Sequence, residues 1–131
     1  MASIPDKFLA LLSDRRAHAY IATVMPDGSP QVTPIWFDFT DGKIRFNTAR
    51  GRVKHRNIKL GTKVALAIMD PDNPHRYIQI RGPVTKITEE GANAHIVSLA
   101  KKYWGHDQYP FQPDEVRVSY EVEPASVQTM G

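Results

Sequence analysis

Between His18 and Thr48 the chain alternates between short strand-like runs and turn signals, a rhythm that leaves few folds open. His18 to Met25 is the first run and is closed by Pro26-Asp27-Gly28. Gln31 to Thr40 is the second, and Asp41-Gly42 leads into a third from Lys43 to Thr48. Such turns supply the residues that tight antiparallel connections need, so the segment is expected to be a meander. Thr62 to Met69 is apolar on both faces, as an inner strand is. Arg76 to Thr88 extends this pattern as a long strand in which Gly82-Pro83 marks a bulge or bend. Val116, Val118, Tyr120 and Val122 alternate in a closing strand. Helices flank the set. Ser3-Ile4-Pro5-Asp6 is a helix start with Ser as N-cap, followed by Phe8, Leu9, Leu11 and Leu12 on an apolar face. Glu89 to Tyr103 places Ala92, Ile96, Leu99 and Tyr103 on one stripe. The expectation is a mainly β fold, a barrel of six to seven antiparallel strands with helices outside, in a single domain over residues 1–131.

Several chemistries are excluded by what the chain lacks. With no cysteine it has no disulfide, no thiolate metal site and no Cys nucleophile. The five histidines, His18, His55, His75, His95 and His106, never stand at metal-ligand spacing, so structural roles and no metal are expected. There is no Gly-x-Ser-x-Gly elbow, no nucleotide-hydrolase phosphate loop and no dinucleotide fingerprint. Asp70 and Asp72, set among Pro71, Asn73 and Pro74, fix turn geometry. The formal charge is +3 and the pI is near 9.3. The basic residues cluster in one segment rather than coating a face, which favours an anionic ligand over nucleic acid. No apolar run is long enough to span a membrane and the N-terminus lacks a signal-peptide pattern, so a cytoplasmic location is expected.

The basic segment runs from Asn47 to Asn57 and carries Arg50, Arg52, Lys54 and Arg56 around Gly51. It passes from a strand end into a segment of helical character. Such a junction presents unpaired backbone N–H groups, and the added cations make it a place for a polyanion. The competing reading is a solvated basic face. A second region, Gln31 to Phe37, has Pro34 inside a strand, which marks an edge or a bulge. Val32, Pro34 and Trp36 point one way, and Gln31, Thr33, Ile35 and Phe37 the other. Such an edge suits a flat heteroaromatic ring, while the alternative places Trp36 in a barrel or dimer core.

Taken in order, these residues resemble the split β-barrel family of pyridoxamine-phosphate-oxidase-like flavin and deazaflavin reductases. The resemblance covers nearly the whole chain. It is carried by Ala22-Thr23-Val24, Asp27-Gly28-x-Pro30-Gln31, Trp36-Phe37, Thr48-Ala49, Arg52-x-Lys54-x-x-Asn57, Asp70-Pro71-Asp72-Asn73-Pro74 with Tyr77, and Arg81-Gly82-x-Val84. Within the family it is similar to the branch that uses coenzyme F420. The resemblance implies a homodimer with cofactor sites at the subunit interface. It also implies an enzyme passing a hydride from the reduced coenzyme to an unsaturated acceptor such as an enone, quinone or tetrapyrrole-like compound. By position, Thr48, Arg52, Lys54 and Asn57 would hold the phosphate and the start of the glutamate tail, with Arg50 and Arg56 as spare charge. Gln31, Val32, Thr33 and Pro34 would lie along the deazaflavin, Ala49 beneath the linker, and Trp36 near the substrate. The loop before Tyr77 would close the site from the partner subunit. FMN is the alternative cofactor and a non-enzymatic F420 or haem carrier the alternative role. The strand from Gln31 to Phe37 carries no basic residue where the flavin enzymes hold phosphate, which favours the deazaflavin. Residues that would bind pyridoxal phosphate are not visible.

Overall fold

A computed structural model describes residues 2–131. The strands are β1 (Ala19–Val24), β2 (Pro30–Ile35), β3 (Phe37–Thr40), β4 (Lys43–Ala49), β5 (Lys63–Asp70), β6 (Asn73–Thr88), β7 (Arg117–Val122) and β8 (Ser126–Met130). The helices are α1 (Leu9–Ser13), preceded by a 3₁₀ turn at Asp6–Phe8, α2 (Val53–Asn57) and α3 (Ala92–Trp104). Seven strands follow one path, β2-β1-β5-β6-β7-β4-β3, and β8 pairs on β6. All pairings are antiparallel, as the Pro-Asp-Gly and Asp-Gly turns foretold. The mainly β split barrel therefore stands, with an eighth strand beyond the six to seven expected.

The split comes from Trp36. The run expected to continue from Gln31 to Thr40 breaks there, and its halves go to opposite edges of the sheet. β2 pairs with β1, placing Pro34 opposite Tyr20, and β3 pairs with β4, placing Phe37 opposite Phe46. Pro34 thus sits on an edge strand, where a missing N–H costs no ladder bond. β8 was missed because Val127 and Met130 are its only apolar residues.

Gly82 has a different role from the bend expected of it. β6 runs through it unbroken, and the register shift lies beyond it, between Val84 and Lys86. Past β7 the chain crosses Gly82 to become β8, with Glu123 N–H donating to Pro83 O (3.0 Å) and Ala125 N–H to Arg81 O (2.9 Å). A Cβ on Gly82 would stand 1.8 Å from the Glu123 carbonyl oxygen, so only glycine permits the crossing.

The helices also start later than the sequence indicates. Ser3 caps nothing: the N-cap position is Pro5, without a side-chain cap bond. α3 begins after Gly91 (φ 77°) and ends at Gly105 (φ 85°), whose N–H donates to Lys101 O, the left-handed glycine stop. α1 lays Leu11 and Leu12 on the barrel core of Ile21, Phe37, Phe46 and Tyr120, all essentially inaccessible to water. Each such side chain contributes about 1.5–3 kcal/mol through removal from water. α3 packs Ile96, Leu99 and Tyr103 in a second cluster that reaches Trp36 and Tyr109, and this packing forms one wall of the site.

Candidate active site

A groove of about 370 Å³ lies where β2, β4, α2, α3 and β7 converge. One wall is polar and cationic: Asn47 and Thr48 at the end of β4, Arg52 at the N-cap of α2 and Lys54 within it, and Arg117 at the start of β7. The rest of the lining forms an aromatic and apolar wall: His18, Pro34, Ile35, Trp36, Ile96, Trp104 and Tyr109.

The cationic wall follows from a local turn. β4 ends at Ala49, Gly51 takes φ 93°, and Arg52 is extended as the N-cap of α2. The left-handed residue must be glycine to be unstrained, and it reverses the chain so that Arg52 and Lys54 return over the strand end. α2 is five residues long, so few peptide dipoles align and the side chains supply the field, in place of the helix terminus the sequence indicates.

Two features of this wall suit an anion. Burial pushes the Lys54 ammonium below its ordinary range, and the charges of Arg52 and Arg117 push it further. Among the described residues neither Arg52 nor Lys54 has an ion-pair partner, whereas Arg50 pairs with Glu89 and so is not spare charge. Secondly, Thr48 is 1% exposed and its Oγ1 has no hydrogen-bond partner. A buried hydroxyl left unpaired is costly and calls for a missing partner.

The aromatic wall is ordered by stacking. Trp36 lies flat on Tyr103 (centroids 5.2 Å, 5° between planes) and meets Trp104 edge-on (4.6 Å, 89°). Trp104 stacks parallel to Tyr109 at 6.1 Å. Tyr103 is anchored by donating to Ala17 O (2.6 Å), and burial raises its phenol to about 12. This wall presents flat π surface to a flat ligand.

Of the residues singled out from sequence, Pro34, Trp36, Thr48, Arg52 and Lys54 meet on the groove. Ala49 is buried behind them, opposite Arg117 on the sheet. Gln31 and Asn57 lie off the groove and are joined through Thr23. Asn57 Nδ2 donates to Thr23 Oγ1 (3.0 Å), which donates to Gln31 Oε1 (3.2 Å), tying α2 to β1. Val32 is 63% exposed, Arg56 points to solvent, and Thr33 Oγ1 is a second buried oxygen without a partner. Tyr77 sits near the start of β6, opposite Met69 and Met130, and lines no part of this groove. Asn47, the first residue of the basic segment, also lines the groove, as do His18, Trp104, Tyr109 and Arg117, which the sequence did not single out for a ligand. The one signal available for Arg117 was a cation between Val116 and Val118 at the start of the closing strand.

Among the described residues no group of three or more His, Asp or Glu side chains is placed to hold a metal ion. No helix among them is long and apolar enough to cross a membrane.

A sequence model of the pyridoxamine 5'-phosphate oxidase family matches residues 4–131. The chain is similar to a solved structure named F420 reductase: 36% identity, TM-score 0.85, covering 95% of this chain and 98% of that one. A conserved hypothetical protein from Mycobacterium tuberculosis shares 22% identity with TM-score 0.74, over 98% of this chain and 85% of that one. An FAD binding protein from Mycobacterium smegmatis shares 16% with TM-score 0.65, over 99% of this chain and 98% of that one. The last two likenesses show a common fold. No curated protein matches the chain.

Proposed function

The chain belongs to the pyridoxamine 5'-phosphate oxidase family, and from that premise we propose that it is a cytoplasmic, homodimeric F420-dependent oxidoreductase. Family and likeness together support an oxidoreductase with a flavin-like cofactor. The observation that carries the finer reading is the unpartnered Thr48 hydroxyl on the same groove wall as the cations Arg52 and Lys54. A phosphate would take the hydroxyl as a donor and the guanidinium and ammonium groups as counter-charges. A tail of further carboxylates suits a string of cations better than one closed pocket. β2, with no basic residue, leaves Pro34 and its neighbours free to lie along a ring.

A bound reduced deazaflavin supplies the chemistry itself, a two-electron hydride transfer from its ring. The chain's own part is to bind, orient and exclude water. Arg52, Lys54 and Thr48 hold the anionic handle, and the stacked Trp36 keeps a planar, conjugated acceptor against the ring face. Enones, quinones and tetrapyrrole-like compounds fit that wall. The homodimer is supported by the exposed apolar side chains that cross the outer face of the sheet, Tyr20, Val24, Val32, Met69, Tyr77 and Met130. A second copy would bury them, and the loop before the partner subunit's Tyr77 is proposed to close the groove.

Titration with oxidised F420 and with FMN, side by side, tests the reading through fluorescence of Trp36 and Trp104. F420 should bind, and Lys54→Ala should weaken it by about 1.5–3 kcal/mol, the range for a charge-assisted contact. A protein that takes up FMN and ignores F420 refutes the assignment. Binding without oxidation of the reduced coenzyme, across enones, quinones and bilins, reduces the protein to a carrier.

A further inference from the structure

Behind the cationic wall, a line of hydrogen bonds runs from the groove to the outer edge of the sheet beneath α3. Arg117 Nε donates to Asn47 Oδ1 (2.8 Å), and Asn47 Nδ2 donates to Ser119 Oγ (3.3 Å) and to Ala92 O (2.8 Å). Ser119 Oγ lies 2.7 Å from His95 Nδ1, and His95 Nε2 lies 2.9 Å from Asp38 Oδ2. Arg45 closes the line with two bonds to Asp38, at 2.7 and 3.0 Å.

The two ends dictate the direction of everything between them. A guanidinium can only donate, and an ionised carboxylate can only accept. Burial pushes Asp38 up, but hydrogen bonds from His95 and Arg45 outweigh it and hold the carboxyl at about 2, so it is ionised across the neutral range. His95 must then donate from Nε2, and a neutral ring has only Nδ1 left to accept, from Ser119 (2.7 Å) and, at longer range, from Asn47 Nδ2 (3.4 Å). Ser119 in turn accepts from Asn47, whose carbonyl oxygen is left facing Arg117. With the ring neutral, every link from Arg117 to Asp38 points the same way, and Arg45 donates to Asp38 from the far side.

What this line holds is Arg117, only 3% exposed yet lining the groove. Nε goes to Asn47. Nη1 goes to Glu115 (2.9 Å) and the Tyr109 hydroxyl (3.5 Å), with the Tyr109 ring 5.2 Å from the guanidinium carbon. Among the described residues Nη2 has no protein partner. Arg117 also acts on Lys54, whose ammonium its charge helps to push down, so the two share one electrostatic site. We propose that Arg117 is a further anion-binding residue of the groove, offering Nη2 to a phosphate or carboxylate oxygen. Asn47, Ser119, His95 and Asp38 are positioning residues that aim it through a hydrogen-bond line of single polarity. The unpartnered, buried Thr48 hydroxyl on the same wall independently marks the place as one that lacks an acceptor. Glu115 offsets much of the net charge, so Arg117 contributes a directed donor, which discriminates by geometry. The inference deepens the proposed coenzyme site, but its probes are chosen to stand apart from that coenzyme.

The test is calorimetric titration of the full chain with inorganic phosphate and, separately, with glutarate. Arg117→Met should weaken whichever anion the site takes by roughly tenfold or more. Asp38→Asn, remote from the groove, should weaken it several-fold in the wild-type background and not at all in Arg117→Met, because its effect passes only through Arg117. Ser119→Ala removes the shorter link to His95, leaving only the longer Asn47 Nδ2–His95 Nδ1 contact of 3.4 Å and leaving Asp38 its partners, and should show the same dependence if Asp38→Asn folds poorly. At a pH where the ring is neutral, nitrogen NMR of His95 should find the proton on Nε2 and none on Nδ1. Unchanged affinity for both anions in Arg117→Met overturns the proposal, as does equal weakening by Asp38→Asn in both backgrounds, or a proton on Nδ1 alone. If phosphate binds through Arg117 while F420 does not bind, the coenzyme reading fails and this one stands.

Discussion

Thr48→Val separates a ligand-binding hydroxyl from a structural one, because the two make opposite predictions. Thr48 Oγ1 is buried without a partner, and Thr48 is 1% exposed. An unsatisfied buried hydroxyl costs about 1–3 kcal/mol, and valine removes that cost while keeping the branched shape a strand favours. Set against small repacking losses around the new methyl, the ligand-free protein should gain about 1 kcal/mol. For a chain of this size the thermal midpoint should then rise by about 3–5 °C. The affinity should move the other way. A hydroxyl donating to a phosphate oxygen is a charge-assisted bond of about 1.5–3 kcal/mol, so F420 should bind roughly 10- to 150-fold more weakly. Differential scanning fluorimetry without ligand and a fluorescence titration with F420 measure the two quantities on the same preparation. A variant that melts lower than the wild type and binds the coenzyme equally well refutes the reasoning, because the hydroxyl would then have a partner within the fold. Thr33→Val is the internal comparison: its hydroxyl is also an orphan, but on β2 and off the groove. A similar loss of affinity there would extend the ligand along β2, as the family resemblance implies.

Three further outcomes are expected. Lys54 titrates below the ordinary lysine range because of burial and the nearby Arg52 and Arg117, so anion affinity should decline with rising pH earlier than for a free lysine. Lys54→Arg, which stays charged, should flatten that profile; identical profiles in the two proteins would remove Lys54 from the site. The folded Asp38 carboxyl sits at about 2 against an ordinary 3.8, so its stabilisation is complete above the unfolded value and is lost as pH falls through the folded one. Urea denaturation should therefore show up to about 2 kcal/mol lost between pH 4 and pH 2, and in Asp38→Asn that part of the slope should be absent. Gly82→Ala should destabilise the chain by about 3 kcal/mol or more, since its Cβ meets the Glu123 carbonyl 1.8 Å away and the crossing from β7 to β8 must move; a denaturation midpoint near wild type would show that the crossing is slack.

The sequence makes local features legible and conceals those set by distant partners. The hairpins could be read because Gly28 and Gly42, at φ 89° and 77°, occupy the positions that the Asp-Gly turns announce. The break at Trp36 could not, since Pro34, Ile35, Trp36 and Phe37 form an unbroken apolar run and only the competition of β1 and β4 for its two halves divides it. The site shows the same division. Arg50, Arg52 and Arg56 are chemically alike, yet the turn at Gly51 and the position of Glu89 decide that Arg52 faces the groove while Arg50 is paired and Arg56 solvated. Asn57 and Gln31 have the right chemistry for a ligand, but Thr23, on a third segment, joins their side chains. Arg117 lies far along the chain, and the register that sets it opposite Ala49 is what brings it to Thr48 and Lys54. A charge run therefore marks a neighbourhood. Among the described residues Arg52, Lys54 and Arg56 are the cations of the run without an ion pair, and of these Arg52 and Lys54 face the groove, beside the unpartnered hydroxyl of Thr48.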